Sequence, residues 1–134
     1  MDELIIVKRT RNNNQFMSHK PLLKISDDGR HHFSNSVVEI LRVKHGDGVM
    51  FAFNNKEGKG YIFKDEDPEA FIVKCKSHER IFRFCAKHLI TFFEKAFNSK
   101  VIDYQLFTVS NEPVVKNGQQ MYELTLYLRG GEKN

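Results

Sequence analysis

The sequence predicts an α+β fold, antiparallel sheets with two helices, built as one domain. Three observations carry this expectation. Short β-rich runs recur along the chain between Gly, Asn, Asp and Pro turn signals. Two stretches, near 34–45 and 85–97, carry apolar residues at helical spacing. The length of 134 residues, with 40% hydrophobic and 28% charged residues, suits a single core, and 12 Phe supply much of its area.

Taken in order, residues 4–9 are β-rich and 11–19 are polar and aperiodic, so a strand and a loop are expected. Residues 22–26 and 30–33 read as a hairpin about Asp27-Asp28-Gly29, where Gly29 is able to take positive φ. A helix then starts at Ser34 or Ser36. Ser36 and Glu39 have the spacing of a capping box, Val37, Val38, Ile40 and Leu41 are its apolar positions, and Gly46 stands where the helix ends. Residues 49–53 form a strand with Val49, Phe51 and Phe53 on one face. They pair with 60–64 across a polar turn that contains Gly58. The connector 65–69 is acidic, and Pro68 excludes a central strand there. Residues 71–76 and 80–84 read as two further strands. The clearest helix is 85–97, its start open as far back as Arg80. Leu89, Phe92, Phe93 and Ala96 share its apolar side, while Lys87, Thr91, Glu94 and Lys95 face water. Strands at 102–109 and 121–128 follow, joined by 110–120 with Pro113 and Asn117-Gly118. The tail 129–134 is polar.

Net charge is +4 and the isoelectric point about 9.1, a balance that favours nucleic acid or another polyanion as partner. The first apolar run, Leu4-Ile5-Ile6-Val7, follows two acids and is too short for a signal core or a membrane span. The expectation is a cytoplasmic protein with reduced Cys75 and Cys85 and no membrane partner.

Phe33 precedes a helix anchored by Val38 and Leu41. Phe84 precedes one anchored by Leu89 and Phe92. Each of these three correspondences spans 51 residues. The order is ββ-α-ββ twice, with halves of about 20–66 and 70–128 inside a single domain 1–134. With shifted boundaries it becomes two β4-α units. That element order resembles the single-stranded-DNA-binding regulator fold of the plant Whirly proteins and the positive transcriptional coactivator family. The resemblance implies a pair of curved four-stranded sheets with helices packed between them. No Whirly signature motif is present, so it assigns no site residue. Locally, residues 33–49 (FSNSVVEILRVKHGDGV) are similar to the strand-helix-Gly-Asp segment of AbrB-type swapped-hairpin DNA-binding proteins. Ser34 or Asn35 stands where that family commonly has Pro. The segment is also similar to uncharacterised proteins of Bacteroidetes and their mobile elements.

Motifs for catalysis are sparse. Cys75, His78, Cys85 and His88 form a doubled Cys-x2-His pattern, a donor set that zinc accepts. The spacing fits no common finger, and Cys85 reads as a small core hydrophobe. Cys85 and His88, one helical turn apart, lack a third orienting group and an oxyanion loop in the sequence. Gly58-Lys59-Gly60 precedes no helix, so it reads as a turn and not a phosphate cradle. No catalytic residue, metal or cofactor is expected.

The remaining pattern interleaves aromatic and basic residues. Single-stranded nucleic acid is held by a basic groove and stacking rings. One hairpin carries Phe51, Phe53, Tyr61 and Phe63 with Lys56, Lys59 and Lys64. Phe51 and Phe53 read as core, and Tyr61 as the exposed ring. The next strands carry Lys74, Lys76, Arg80 and Arg83. The expected function is a small, non-enzymatic, homodimeric nucleic-acid-binding protein, single-stranded DNA being preferred, with a regulatory role. Its expected contacts are Lys56, Lys59, Tyr61, Lys64, Lys74, Lys76, Arg80 and Arg83. The alternative is a homo-oligomeric interaction module whose Phe-rich faces close an interface.

Overall fold

Alternating apolar and polar residues fold the chain into a curved antiparallel sheet that nearly closes on itself. The computed structural model describes residues 20–75 and 81–130; the strand expected at 4–9, the loop at 11–19 and the last four residues of the tail lie outside them. The strands are β1 (Leu22–Ser26), β2 (Arg30–Phe33), β3 (Gly48–Asn54), β4 (Lys59–Lys64), β5 (Phe71–Ile72), β6 (Phe82–Cys85), β7 (Tyr104–Val109), β8 (Val114–Lys116) and β9 (Gln119–Arg129). Helix α1 (Asn35–Leu41) follows β2, and α2 (Lys87–Phe97) follows β6.

The sheet runs β5-β3-β4-β9-β7-β1-β2-β6, with β8 beside β9. Among the described residues its two ends meet at one bridge. Lys74 and Arg83 each donate a backbone N–H to the other's carbonyl, at 2.8 and 2.9 Å. The expected pair of four-stranded sheets is therefore one continuous sheet bent towards a barrel.

Gly29 makes the first hairpin possible. It has φ +100, and a Cβ there would stand 2.8 Å from the Lys87 backbone. The turn abuts the start of α2, and the Gly29 carbonyl accepts the Ala86 N–H at 2.9 Å. Helix α2 begins without a side-chain cap, so this hairpin contact anchors its entry instead.

The core is built on Phe93, which is fully buried. Its ring lies 5.0 Å from Phe53, 5.6 Å from Phe51, 5.1 Å from Phe107 and 6.4 Å from Phe97, centroid to centroid. Leu23, Ile25, Phe33, Val49, Ile62 and Leu124 complete the interior. Tyr61, Phe63 and Met121 form a second, smaller cluster with Met50 and Ala52.

Several expectations are corrected. In α2 the buried side is Leu89, Ile90, Phe93 and Ala96, while Phe92 is 52% exposed and rests on Phe53 at 6.1 Å. Residues 82–85 are strand, so the helix does not reach back to Arg80, and its inward stripe is rotated onto Ile90. Cys85 is exposed at the end of β6, because Phe82 and Phe84 take the inward positions. Glu94 is half-buried and accepts the Val101 N–H at 2.8 Å.

Helix α1 ends at Leu41, with Arg42 in the left-handed region at φ 57; Gly46 turns in the loop beyond. Ser34 takes the N-cap position without a side-chain cap bond, and Ser36 already lies inside the helix. The buried Ser34 hydroxyl accepts the Leu22 N–H and donates to the Lys20 carbonyl, both at 2.9 Å, tying α1 to the start of β1. β5 is shorter than expected, β7 starts at Tyr104, and β8 arises within the expected connector 110–120. The turn from β8 to β9 is Asn117-Gly118, both at positive φ, the signature of a tight hairpin turn.

His31 faces the interior. Its Nδ1–H donates to the Gly29 carbonyl at 2.8 Å, and its ring stacks on Phe84 at 4.4 Å. Burial pushes its pKa down to about 4; the Gly29 carbonyl opposes this, and His32 and His88 add to it.

Two stability predictions follow from the core. Phe93→Ala costs about 3–5 kcal/mol, whereas Phe92→Ala costs under about 1.5 kcal/mol, read from urea midpoints. Equal losses would contradict the observed face of α2. The folded His31 ring stays neutral while the unfolded one charges below about 6.5. Its contribution is present above that pH and is lost as pH falls towards about 4, on the order of 3 kcal/mol in all. His31→Phe flattens this part of the stability-against-pH curve; an unchanged curve would rule His31 out as its source.

Candidate functional site

The alternation that fills the interior also sorts what faces outward. Leu23 and Ile25 of β1, Phe33 of β2, Phe84 of β6 and Val73 beyond β5 join the core. Their neighbours Lys24, His32, Arg83 and Lys74 take the opposite face. The register then aligns these four. Lys24 pairs with His32, His32 with Arg83, and Arg83 with Lys74. Adjacent strands stand ~4.8 Å apart, so the side chains form a row of about 14 Å across four strands.

Arg30 lies beside the row, and its Nε meets the Asp28 carboxylate at 2.8 Å. That contact holds the Asp28 carboxyl below the usual carboxylate range. Lys24 Nζ sits 4.8 Å over the Tyr104 ring. Lys20 Nζ sits 4.8 Å over the Tyr127 ring and donates to the Tyr127 hydroxyl at 2.6 Å. Half-burial is the main force lowering the His32 pKa, followed by the positive charges of Lys24, Arg30 and Arg83, with Asp28 opposing. His32 is therefore the neutral member of the row at pH 7.

Beside the Lys74–Arg83 bridge, β5 and β6 diverge. The gap is an open cleft of about 560 Å³ lined by Arg30, Phe71, Ile72, Lys74, Arg83, Phe84 and Cys85. Phe71 and Phe84 stack on each other at 5.1 Å and form its apolar floor. The cationic row thus borders an aromatic cleft at the seam of the barrel.

The six of the eight expected contact residues that the structure describes do not assemble into one site. Lys74 and Arg83 fall in the row and line the cleft. Lys76 and Arg80 lie outside the described residues. Lys56, Lys59, Tyr61 and Lys64 belong to the β3–β4 hairpin, elsewhere around the sheet. Tyr61 corrects an expectation: it is only 4% exposed, packed with Phe63 and Met121, with Lys116 Nζ 5.2 Å from its ring. Lys64 is engaged locally, donating to the Arg42 carbonyl at 3.1 Å and meeting Asp47 at 3.4 Å. Lys24, His32 and Arg30 were not anticipated. Their signal was the outward phase of the first hairpin, which the sequence shows only once that hairpin's register is known.

Of the Cys/His pattern, His78 lies outside the described residues. The Cys75 N–H donates to His45 Nδ1 at 3.0 Å, and the His88 ring lies 5.9 Å from Phe71. Among the described residues no group of three or more His, Cys, Asp or Glu is placed to hold a metal ion. None of their helices is long and apolar enough to cross a membrane.

No protein-family model matches the chain, and neither a curated protein nor a solved structure matches it.

The row makes a prediction about its own electrostatics. Arg83→Gln removes one of the charges that hold the His32 pKa down, so His32 titrates at higher pH in the variant. NMR titration of the imidazole reads this, and an unmoved midpoint would mean that the two groups do not face each other.

Proposed function

We propose that the protein is a small, non-catalytic nucleic-acid-binding protein, and that the outer face of β1, β2, β6 and the segment just beyond β5 is its contact surface. The observation that carries this reading is the in-register row Lys24, His32, Arg83 and Lys74. Lys24, Arg83 and Lys74 carry the charge of that line, with the neutral His32 between Lys24 and Arg83. Such a line of cations suits a polymer of phosphates, and neutralising each phosphate releases condensed counterions. The net charge of +4 agrees in sign. Lys20 and Lys24, each over a tyrosine ring, extend the basic surface across β7 and β9.

Fluorescence anisotropy with labelled oligonucleotides over a range of salt tests the reading. Binding weakens as salt rises, and Lys24→Ala or Lys74→Ala each lowers affinity and reduces the salt slope by about 1. Lys56→Ala, in the distal hairpin turn, leaves both unchanged. Absence of binding to single- and double-stranded DNA and RNA at low salt would refute the proposal, as would a loss centred on Lys56.

A further inference from the structure

The strand pairing is preserved when the two halves are exchanged. Let β1 trade places with β5, β2 with β6, β3 with β7 and β4 with β9. Every neighbouring pair along the sheet then becomes another neighbouring pair, the Lys74–Arg83 bridge standing for the β1–β2 hairpin. β8 alone has no counterpart. The register agrees residue by residue at the centre. Phe33 lies opposite Phe82, and His31 opposite Phe84. Phe33 and Phe84 are 51 residues apart, and so are His31 and Phe82. His32 and Arg83, also 51 apart, face each other. A local two-fold axis therefore passes between them.

The basic row straddles that axis. Lys24 faces His32 as Lys74 faces Arg83. By this pairing Lys24 and Lys74, 50 residues apart, are equivalent ends, and the neutral His32 and the charged Arg83 occupy equivalent central positions. Arg30 stands outside the symmetry, since the residue 51 positions on is Ile81.

We infer that the chain is an internal duplication whose pseudo-two-fold axis runs through the row, and that the row's ligand is double-stranded nucleic acid. This choice of ligand rests on the nucleic-acid reading of the surface. The antiparallel strands of a duplex are related by two-fold axes perpendicular to the helix, so the equivalent cations Lys24 and Lys74 meet equivalent phosphates, one from each strand. Two-fold proteins use this match on two-fold DNA sites. A single strand runs in one direction and has no such axis. Lys24 and Lys74 are three inter-strand steps apart, ~14 Å along a flat sheet and less on a curved one. That is the scale of a ~12 Å groove between backbones. The rings point the same way. Single strands need exposed stacking platforms, whereas beside the row Phe84 is buried, Phe71 stacks on it, and the exposed Tyr127 ring is covered by Lys20.

The test compares a labelled duplex with its two separated strands, at equal low salt, on the full chain. The duplex binds more tightly than either strand. Lys24→Ala and Lys74→Ala weaken duplex binding by factors that agree within about twofold. Lys24→Gln and Lys74→Gln serve as milder second variants, with circular dichroism confirming their fold. Tighter binding of a single strand, or a loss confined to one lysine, overturns the duplex inference and leaves nucleic-acid binding standing. Binding of neither form overturns both.

Discussion

The structure depends on the insertion of one aromatic side chain. Phe93 projects from α2 into a sheet that has bent far enough to surround it, and its neighbours Phe51, Phe53 and Phe107 come from two different strands. A curved sheet of short strands leaves a central space that its own residues do not fill. A fully buried ring supplies a large apolar area at that point. The helix can deliver it because the Gly29 turn approaches the α2 backbone closely and accepts the Ala86 N–H. Core packing, helix entry and sheet curvature are thus one constraint seen from three sides.

The same period of two that sends Phe33 and Phe84 inward sends His32 and Arg83 outward. The basic row is therefore coupled to the core through the register. A slip of one residue between β2 and β6 would put charges into the aromatic interior and rings on the surface. Stable packing of the interior consequently also preserves the alignment of the cations. His31 shows what that interior tolerates: a ring that stays neutral, held by one carbonyl, with its Nε2 lacking a hydrogen-bond partner among the described residues.

Much of the element order was legible in the sequence because it rests on local signals. β1, β2 and the turn at Gly29 follow from two short strand-like runs about one permissive residue, and the phase of β3 follows from Val49, Phe51 and Phe53. The misjudged details depend on tertiary context. Phe92 and Ile90 both suit an apolar helix face, and only where the chain enters α2 decides between them. Tyr61 alternates outward, yet a second cluster covers it. The candidate site was half legible. Lys74 and Arg83 are basic residues on strand-like runs, but their alignment with Lys24 and His32 is set by pairings between residues far apart in the chain. The Asn117-Gly118 signal was present, and its strand was missed because the three residues of β8 are all exposed and carry no alternation.

The seam between β5 and β6 has a dynamic consequence. Most neighbouring strands are joined by ladders of three or more residue pairs, whereas among the described residues two backbone hydrogen bonds between Lys74 and Arg83 join the ends. Local opening needs the least free energy where the fewest bonds must break. On the described bonds this seam is where the sheet would open first, with slower amide exchange expected in the central strands away from it. A molecule lying along the row would touch both sides of the seam. It would act as a strap, adding its own binding free energy to the work of opening. Occupancy of the surface and protection of the Lys74 and Arg83 amides against hydrogen exchange are thus two readings of one equilibrium.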